Sequence, residues 1–319
     1  MPNDAFSARM ALDPAVTRLA LEGLRATPKT LPPQLFYDEE GCRLFYRITE
    51  LPEYYLTRTE WSLLDTVASA VARSVPAGSV LVEYGASSEA KASRLLAAGS
   101  RPFSDYVAID VAEGALQAMQ VRLRAAFPDV TMHPIAADFE QPFALPPGLE
   151  GRKRFGFFPG STIGNLDPAG ARRFLRLARD ELGAGSLFLI GADLRKPASI
   201  LLPAYDDAAG VTAAFNRNLL VRLNREAGAD FDPLAFDHRS IWNDIDGRIE
   251  MHLVSRRRQV VRVAGHTIRF EEGESIHTEN SYKFTLEGMR GMAEAAGWAL
   301  RKSWFDDDRR FGMFLLGAS

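Results

Sequence analysis

Between residues 79 and 194 short apolar runs alternate with amphipathic stretches of helical period. The runs SVLVEYG, DYVAID, VTMHPIAAD, KRFGFFPG and SLFLIGADL read as strands. Helical stretches fill several of the intervals, among them the alanine- and leucine-rich segment after Gly85 and ALQAMQVRLRAAF at 115–127. Asp167 and Pro168 open the helix AGARRFLRLARDEL, because Asp is favoured as an N-cap and Pro at the first helical position. Apolar strands that alternate with helices pair in parallel and are covered on both faces. The pattern therefore predicts an α/β protein with a doubly wound sheet.

The end of the chain narrows this. Thr285 is placed to cap the helix LEGMRGMAEAAG, and WALRKSWF and FGMFLLGA follow, separated by the polar turn DDDRR. These two runs predict an antiparallel hairpin. A mainly parallel sheet closed by such a hairpin resembles the Rossmann-like class I fold of S-adenosylmethionine-dependent methyltransferases more than a nicotinamide-binding domain. Residues 197–283 follow another pattern. AYDDAAGVTAAFNRNLLVRLNREAGA reads as helical. SIWNDIDGRIEMHLVS, QVVRVAGHTIRFEEG and SIHTENSYKF alternate with period two around DG and AG turns, which predicts an antiparallel meander. The expected organisation is a cofactor-binding domain of residues 61–194 and 284–319, and a second, α+β substrate-binding domain of residues 1–60 and 195–283. Arg256–Arg258 fall near a turn of the meander and read as a solvated loop.

Composition changes the picture mainly by exclusion. A formal charge of −3 leaves no basic stripe for nucleic acid. The single cysteine, Cys42, excludes an internal disulfide, suits a reducing cytosol and reads as structural. The five histidines show no metal-ligand spacing, so no metal is expected. The N-terminus lacks a secretory apolar core, and no run approaches the roughly 20 apolar residues that span a bilayer. The expectation is a cytoplasmic monomer acting on a small molecule, without nucleic acid or membrane partners.

The first strand–turn–helix, LVEYGASSEAKASRLL, has one glycine where a dinucleotide-binding turn has several. The second glycine of such a turn lets the backbone approach a pyrophosphate. S-adenosylmethionine carries a sulfonium and an amino acid tail but no phosphate, so that demand disappears. Gly85 still permits close approach, and Glu83 ends the strand beside it. Asp110 ends the second strand, where an acid can accept both ribose hydroxyls. Asp138 and Phe139 end the third, where an acid and a ring suit an adenine. Ligands of open α/β sheets lie beyond the carboxyl ends of strands, so these positions mark one crevice.

Four separated segments then carry a specific resemblance: TPKTLPPQLFYDEEGCRLFYRITELPEYYLTRTE, FFPGSTIGNLDP, AYDDAAGVTAAFNRNLLVRLNRE and ESIHTENSYKF. Together they resemble the histidine-specific Nα-methyltransferases of ergothioneine biosynthesis, over roughly residues 15–317. The resemblance implies transfer of three methyl groups from S-adenosylmethionine to the α-amine of histidine, giving the betaine hercynine. It implies that Gly85, Lys91, Asp110, Asp138 and Phe139 bind the cofactor, with Lys91 pairing its carboxylate. It further implies that Asn165 and Tyr205 hold the histidine carboxylate and that Tyr54, Glu279 and Ser281 recognise the imidazole. Gly160 would lie in the loop facing the amine, and Tyr37, Phe45, Thr212 and Met251 would shape the pocket. Ser87 stands where family members often carry a second glycine, a departure that bears on the turn geometry.

Each of these residues also has an ordinary reading. Glu279 and Ser281, two apart on a strand, share a face; outside the matched segment such a pair is commonly a solvent face, whereas together they can serve both imidazole nitrogens. Asn165 could stabilise a turn, Tyr54, Tyr55 and Tyr205 could be packing residues, Met251 suits a pocket wall, and His277 reads as an ordinary surface-strand histidine. Methyl transfer needs a neutral amine aligned with the methyl carbon, and desolvation lowers the ammonium pKa. No general base is therefore assigned, and the product cation suits an aromatic ring such as Tyr37. Alternatives from the same residues are methylation of another amino acid or amine, a non-catalytic S-adenosylmethionine-binding module and, lacking GxGxxG, least of all a nicotinamide oxidoreductase.

Overall fold

The computed structural model describes residues 12–86, 88–99 and 101–318. In chain order, α1 (Pro14–Leu24), β1 (Lys29–Thr30), α2 (Glu39–Thr49) and α3 (Tyr55–Ser74) lead into β2 (Ser79–Tyr84). Then come α4 (Glu89–Leu96), β3 (Phe103–Asp110), α5 (Glu113–Ala126), β4 (Thr131–Ala136), β5 (Arg154–Phe158), α6 (Pro168–Leu182) and β6 (Leu187–Asp193). Two helices, α7 (Ala198–Leu201) and α8 (Val211–Glu226), precede β7 (Phe236–Asn243), β8 (Arg248–Ser255), β9 (Gln259–Val263), β10 (His266–Phe270) and β11 (Ser275–Tyr282). The chain closes with α9 (Leu286–Glu294), β12 (Trp298–Phe305) and β13 (Phe311–Ala318). It divides into two compact units. One takes the chain up to Tyr54 with Ala198–Asn243 and Ile249–Glu279; the other takes Tyr55–Pro197, Asp244–Arg248 and the chain from Asn280 onward.

The second unit is built on a seven-stranded sheet of order β12-β13-β6-β5-β2-β3-β4. β4, β3, β2, β5 and β6 run parallel, while β13 is antiparallel to both β6 and β12. The terminal hairpin and all five strands expected from the sequence are present. Period-two alternation sends Val80, Val82 and Tyr84 of β2 to one face, where they pack with Phe174 of α6 and Met289 of α9. Leu81 goes to the other, against Leu64 and Val67 of α3, Leu95 of α4 and Met119 of α5. Pro134 sits inside β4, which it can do because β4 is an edge strand and no outer neighbour needs its missing N–H. The caps are as expected: Asp167 accepts the Gly170 N–H with Pro168 in the first turn, and Thr285 accepts the Gly288 N–H.

The first unit holds a four-stranded sheet, β1-β11-β8-β7, and a separate two-stranded ribbon, β10-β9. This corrects the single meander: the ribbon leaves the sheet, and β11 pairs with β8 and, in parallel, with the distant β1. The expected helix from Ala204 is also shorter, beginning at Val211. Gly210 adopts φ +72, which breaks the helical path, and the Asp207 carboxylate accepts the N–H groups of Val211 and Thr212 at the new start. Burial opposes ionisation of Asp207, but those hydrogen bonds outweigh it and hold its pKa below the ordinary carboxylate range. Phe36 stacks on Phe215 of α8 with centroids 4.4 Å apart. Arg256, Arg257 and Arg258 each face a different acid (Asp237, Asp232 and Glu271), so the triplet does not form one anion site. Cys42, read from the sequence as structural, is exposed on α2.

Candidate functional site

The turn after β2 folds over the end of β3, with the N–H groups of Gly85 and Ala86 both donating to the Ile109 carbonyl at 2.9 Å. Gly85 has φ +71, a conformation in which a side chain is strained. A Cβ there would point toward Phe139, Phe158 and Thr162 at 3.7–3.9 Å. One strand over, Asp110 ends β3, its carboxylate accepting the Ala112 N–H at 2.8 Å, and burial raises its pKa. The Ala137 N–H bonds the Asp110 carbonyl, which sets Asp138 just beyond. Asp138 accepts the Glu140 N–H at 2.9 Å, and Phe139 packs edge-on against Phe158 and Phe174 at 5.3 and 5.5 Å. Gly85, Asp110, Asp138 and Phe139 thus stand at three neighbouring strand ends. An apolar ring, two acids and a glycine at the turn fit a nucleoside bearing a positive charge better than one bearing phosphates. Ser87 lies outside the described residues; Ser88 caps α4.

Glu83, inside β2, is 2% exposed and accepts the Tyr106 hydroxyl at 2.6 Å. Burial pushes its pKa up to about 8, with Lys91 opposing and Glu60 and Asp110 reinforcing the shift. The folded chain therefore keeps a proton on Glu83 that the unfolded chain releases near pH 4.5. Its contribution to stability is full below that value and is lost as pH rises to about 8. Glu83→Gln, which cannot titrate, is expected to flatten this slope. Relative to the wild type, the variant gains stability between pH 5 and pH 8 in urea titrations.

After β5 the chain turns sharply through Gly160 (φ +80) and Ser161 (φ +59) into a short 3-10 turn, Thr162–Asn165. Three ties hold this loop. The Gly160 N–H donates to Glu60 on α3, the Ser161 hydroxyl accepts the Asp193 N–H at 2.9 Å, and Gly164 lies so close to the Tyr282 backbone that a Cβ would come within 2.8 Å. Asn165 thereby sits beside the end of β11, which carries Ser281. Lys91 makes an ion pair with Glu60 at 2.5 Å; its ammonium has three donors, which leaves capacity for a second acceptor.

Behind Ser281 lies a buried network that the sequence did not reveal. The Lys283 ammonium donates to the Ser281 hydroxyl and reaches Asp193, both at 2.8 Å. Lys196 bonds the same carboxylate at 2.5 Å, and the Tyr55 hydroxyl donates to it at 2.9 Å. One carboxylate therefore serves two ammonium groups. Burial drives the Lys196 pKa down to about 8, against the attraction of Asp193 and with the repulsion of Lys283. The available signal was the spacing of Ser281 and Lys283, two apart at a strand end.

In the other unit, four of the expected residues form a continuous run of edge contacts. Tyr37 meets Phe45 at 6.0 Å, Phe45 meets Tyr54 at 6.4 Å, and Tyr54 meets Tyr205 at 6.2 Å. Tyr205 is anchored by its carbonyl, which accepts the Ser240 hydroxyl at 2.7 Å and bonds His238 at 2.8 Å. Thr212 is buried in the first turn of α8, Met251 is buried on β8, and Glu279 is buried on β11. The fold also gathers Glu250, His252 and His277, although the sequence kept the histidines apart. Their imidazoles stack at 4.8 Å with planes 20° apart. One ligand atom from each of the three groups lies within 4.8 Å of the others, and His252 Nε2 is 3.1 Å from the Glu250 carboxylate.

Such a strand order, with β13 laid antiparallel between β6 and β12, defines a class I S-adenosylmethionine-dependent methyltransferase fold. The structure is similar to that of an S-adenosylmethionine-dependent methyltransferase from Clostridium acetobutylicum, with a TM-score of 0.50 at 10% identity over 87% of this chain and 98% of that one. The chain belongs to the family of histidine-specific, S-adenosylmethionine-dependent methyltransferases, which it matches over residues 16–318. It is 42% identical over 307 residues to the histidine N-alpha-methyltransferase of Mycolicibacterium smegmatis, covering 94% of each chain. The corresponding enzyme of Mycobacterium tuberculosis is 40% identical over 305 residues, again 94% of each. Ergothioneine biosynthesis protein 1 of Neurospora crassa is 28% identical over 92% of this chain and 33% of its own length.

Proposed function

We propose that this chain is an L-histidine Nα-methyltransferase that converts histidine to its trimethylated betaine, hercynine, for ergothioneine biosynthesis. The observation that carries the reading is 40–42% identity over 94% of the chain to histidine N-alpha-methyltransferases, in a family that is itself histidine-specific. Bound S-adenosylmethionine supplies an electrophilic methyl group. In this reading Gly85, Asp110, Asp138 and Phe139 hold its nucleoside part and Lys91 its carboxylate. Asn165 and Tyr205 hold the carboxylate of histidine; Tyr54, Glu279 and Ser281 hold its imidazole. Tyr37, Phe45, Thr212 and Met251 line the pocket, and Gly160 faces the amine. Gripping the amino acid at its two ends leaves the nitrogen able to turn between transfers. Entry into a site that excludes water lowers the ammonium pKa, so its proton would pass to solvent, the freed lone pair would take the methyl group and S-adenosylhomocysteine would leave. Alignment replaces a dedicated base, and well-oriented reactants gain about 7–11 kcal/mol in this way. Aromatic faces suit the growing methylammonium charge.

The test is a substrate panel. Purified protein with S-adenosylmethionine and each amino acid in turn, read by mass spectrometry, is expected to give mono-, di- and trimethylated product from histidine. Turnover of another amine in preference to histidine would favour a different acceptor, and tight cofactor binding without turnover a non-catalytic role.

A further inference from the structure

Glu60 is a charged side chain that the substrate and cofactor assignments leave without a task, yet its carboxylate is among the most deeply placed in the chain, 1% exposed on the inner face of α3. A carboxylate so removed from water is costly unless it is paired and fully hydrogen-bonded. Glu60 has both kinds of partner. Lys91, in the first turn of α4, pairs with it at 2.5 Å, and the Gly160 N–H donates to both its oxygens, at 2.8 and 3.0 Å. Lys91 and Gly160 are themselves neighbours, since a Cβ at Gly160 would stand 3.4 Å from the Lys91 ammonium.

The seat of this carboxylate is fitted to it. It lies directly on Gly191 of β6, where a Cβ would come 2.1 Å from Oε1, so that only glycine leaves room. The backbone it holds is also unusual. Gly160 and Ser161 are consecutive residues in the left-handed region, and Ser161 has no glycine-like freedom there. A loop in that conformation persists only where its surroundings determine it, and the Glu60 bond to Gly160 is the tie at the turn itself. A neutral acceptor would satisfy the Gly160 N–H; the charge is required by Lys91. Glu60 therefore joins two elements that the proposed function uses for different ligands: the helix behind the cofactor turn and the loop facing the amine.

We infer that Glu60 is a positioning residue for methyl transfer, fixing the Lys91 ammonium and the Gly160 backbone in a single geometry without touching the reacting atoms. This rests on the methyltransferase reading of the site. Its signature is a split between turnover and binding, because displacing reacting partners by about 1 Å costs as much as 10²-fold in rate while leaving their separate contacts in place. Glu60→Gln keeps the size and one acceptor but removes the charge. Glu60→Asp keeps the charge for Lys91 but withdraws the carboxylate from Gly160 by one methylene.

The experiment measures kcat with saturating histidine, and the S-adenosylmethionine Kd by calorimetry, on both variants and the wild type, with folding checked by circular dichroism. The expected result is a fall in kcat of about tenfold or more in each folded variant, with Kd within about threefold of wild type. If Glu60→Gln fails to fold, Glu60→Asp carries the test. Wild-type kcat in either folded variant, or parallel losses in kcat and cofactor affinity, would overturn the inference. A wild-type protein that methylates no histidine would instead refute the functional reading and leave Glu60 out of the question.

Discussion

Replacing Glu279 with alanine is expected to lower kcat/KM for histidine by about 10- to 100-fold while leaving the S-adenosylmethionine Kd within about threefold of wild type. The reasoning starts from burial. Glu279 is 9% exposed on β11, two residues from Ser281, so both belong to one strand and share its pairing. A charge-assisted hydrogen bond is worth about 1.5–3 kcal/mol, and a buried donor left without its acceptor loses about that much. In the proposed site the donor is an imidazole N–H, so the loss falls on histidine and on discrimination between histidine and amino acids without that N–H. Such discrimination is steep where a site is built to hydrogen-bond its substrate. Initial rates over a range of histidine concentrations, together with calorimetry of the cofactor, check the prediction. Equal losses in histidine use and cofactor affinity would show that Glu279 acts on the fold as a whole.

The second large effect is on stability. Asp193→Ala is expected to cost about 3–5 kcal/mol, measured by urea unfolding, because it leaves buried ammonium groups without their counter-charge. Asp193 is fully buried and holds Lys196, Lys283 and the Tyr55 hydroxyl. A domain is stable by only about 5–15 kcal/mol, so the variant should be close to unfolding under ordinary conditions. The pH dependence gives a second readout. Lys196 titrates near 8 when folded and near its ordinary value of 10.5 when unfolded, so the unfolded chain binds more protons between these values and stability rises with pH across that window. Loss of Asp193 deepens the penalty on the charged lysine, and the destabilisation should be smaller at pH 9 than at pH 6. A loss below about 1 kcal/mol would place the network on the level of a surface ion pair.

These two residues mark where the sequence is legible and where it is not. The sheet was readable because its strands are apolar on both faces and its helices begin with local signals, Asp167–Pro168 and Thr285, that need no knowledge of distant chain. The hairpin of β12 and β13 was readable for the same reason. The pairing of β11 with β1 was not, since Ile276 meets Lys29 across most of the chain and neither segment's alternation names its partner. The separation of β9 and β10 as their own ribbon escaped because a meander and two sheets share one period-two pattern.

The candidate site divides along similar lines. Gly85, Asp110 and Asp138 follow from strand ends, a local feature, and the structure sets them side by side at the end of one sheet. The aromatic run from Tyr37 to Tyr205 follows from the resemblance and not from any spacing, because Tyr54 and Tyr205 are brought to 6.2 Å by folding alone. Nothing local marks Glu60, Asp193 and Lys283, because charged residues normally face water. Their burial is decided by partners far off in the chain: Glu60 by Gly160 and Gly191, and Asp193 by Tyr55 and Lys283. Asp38 escaped in the same way. It caps α2 through the Gly41 N–H and at the same time accepts from Asn218 of α8 at 2.7 Å, a role no local motif could announce.

The central claim is that the α-nitrogen of histidine is the atom that receives the methyl groups. Incubating the protein with histidine labelled by 15N at the α-position and S-adenosylmethionine labelled by 13C in the methyl group, then recording one-bond carbon–nitrogen couplings, tests it directly. The account predicts label accumulating on the α-nitrogen until three methyl groups are attached. Label on a ring nitrogen, or histidine returned unlabelled beside intact cofactor, would contradict it.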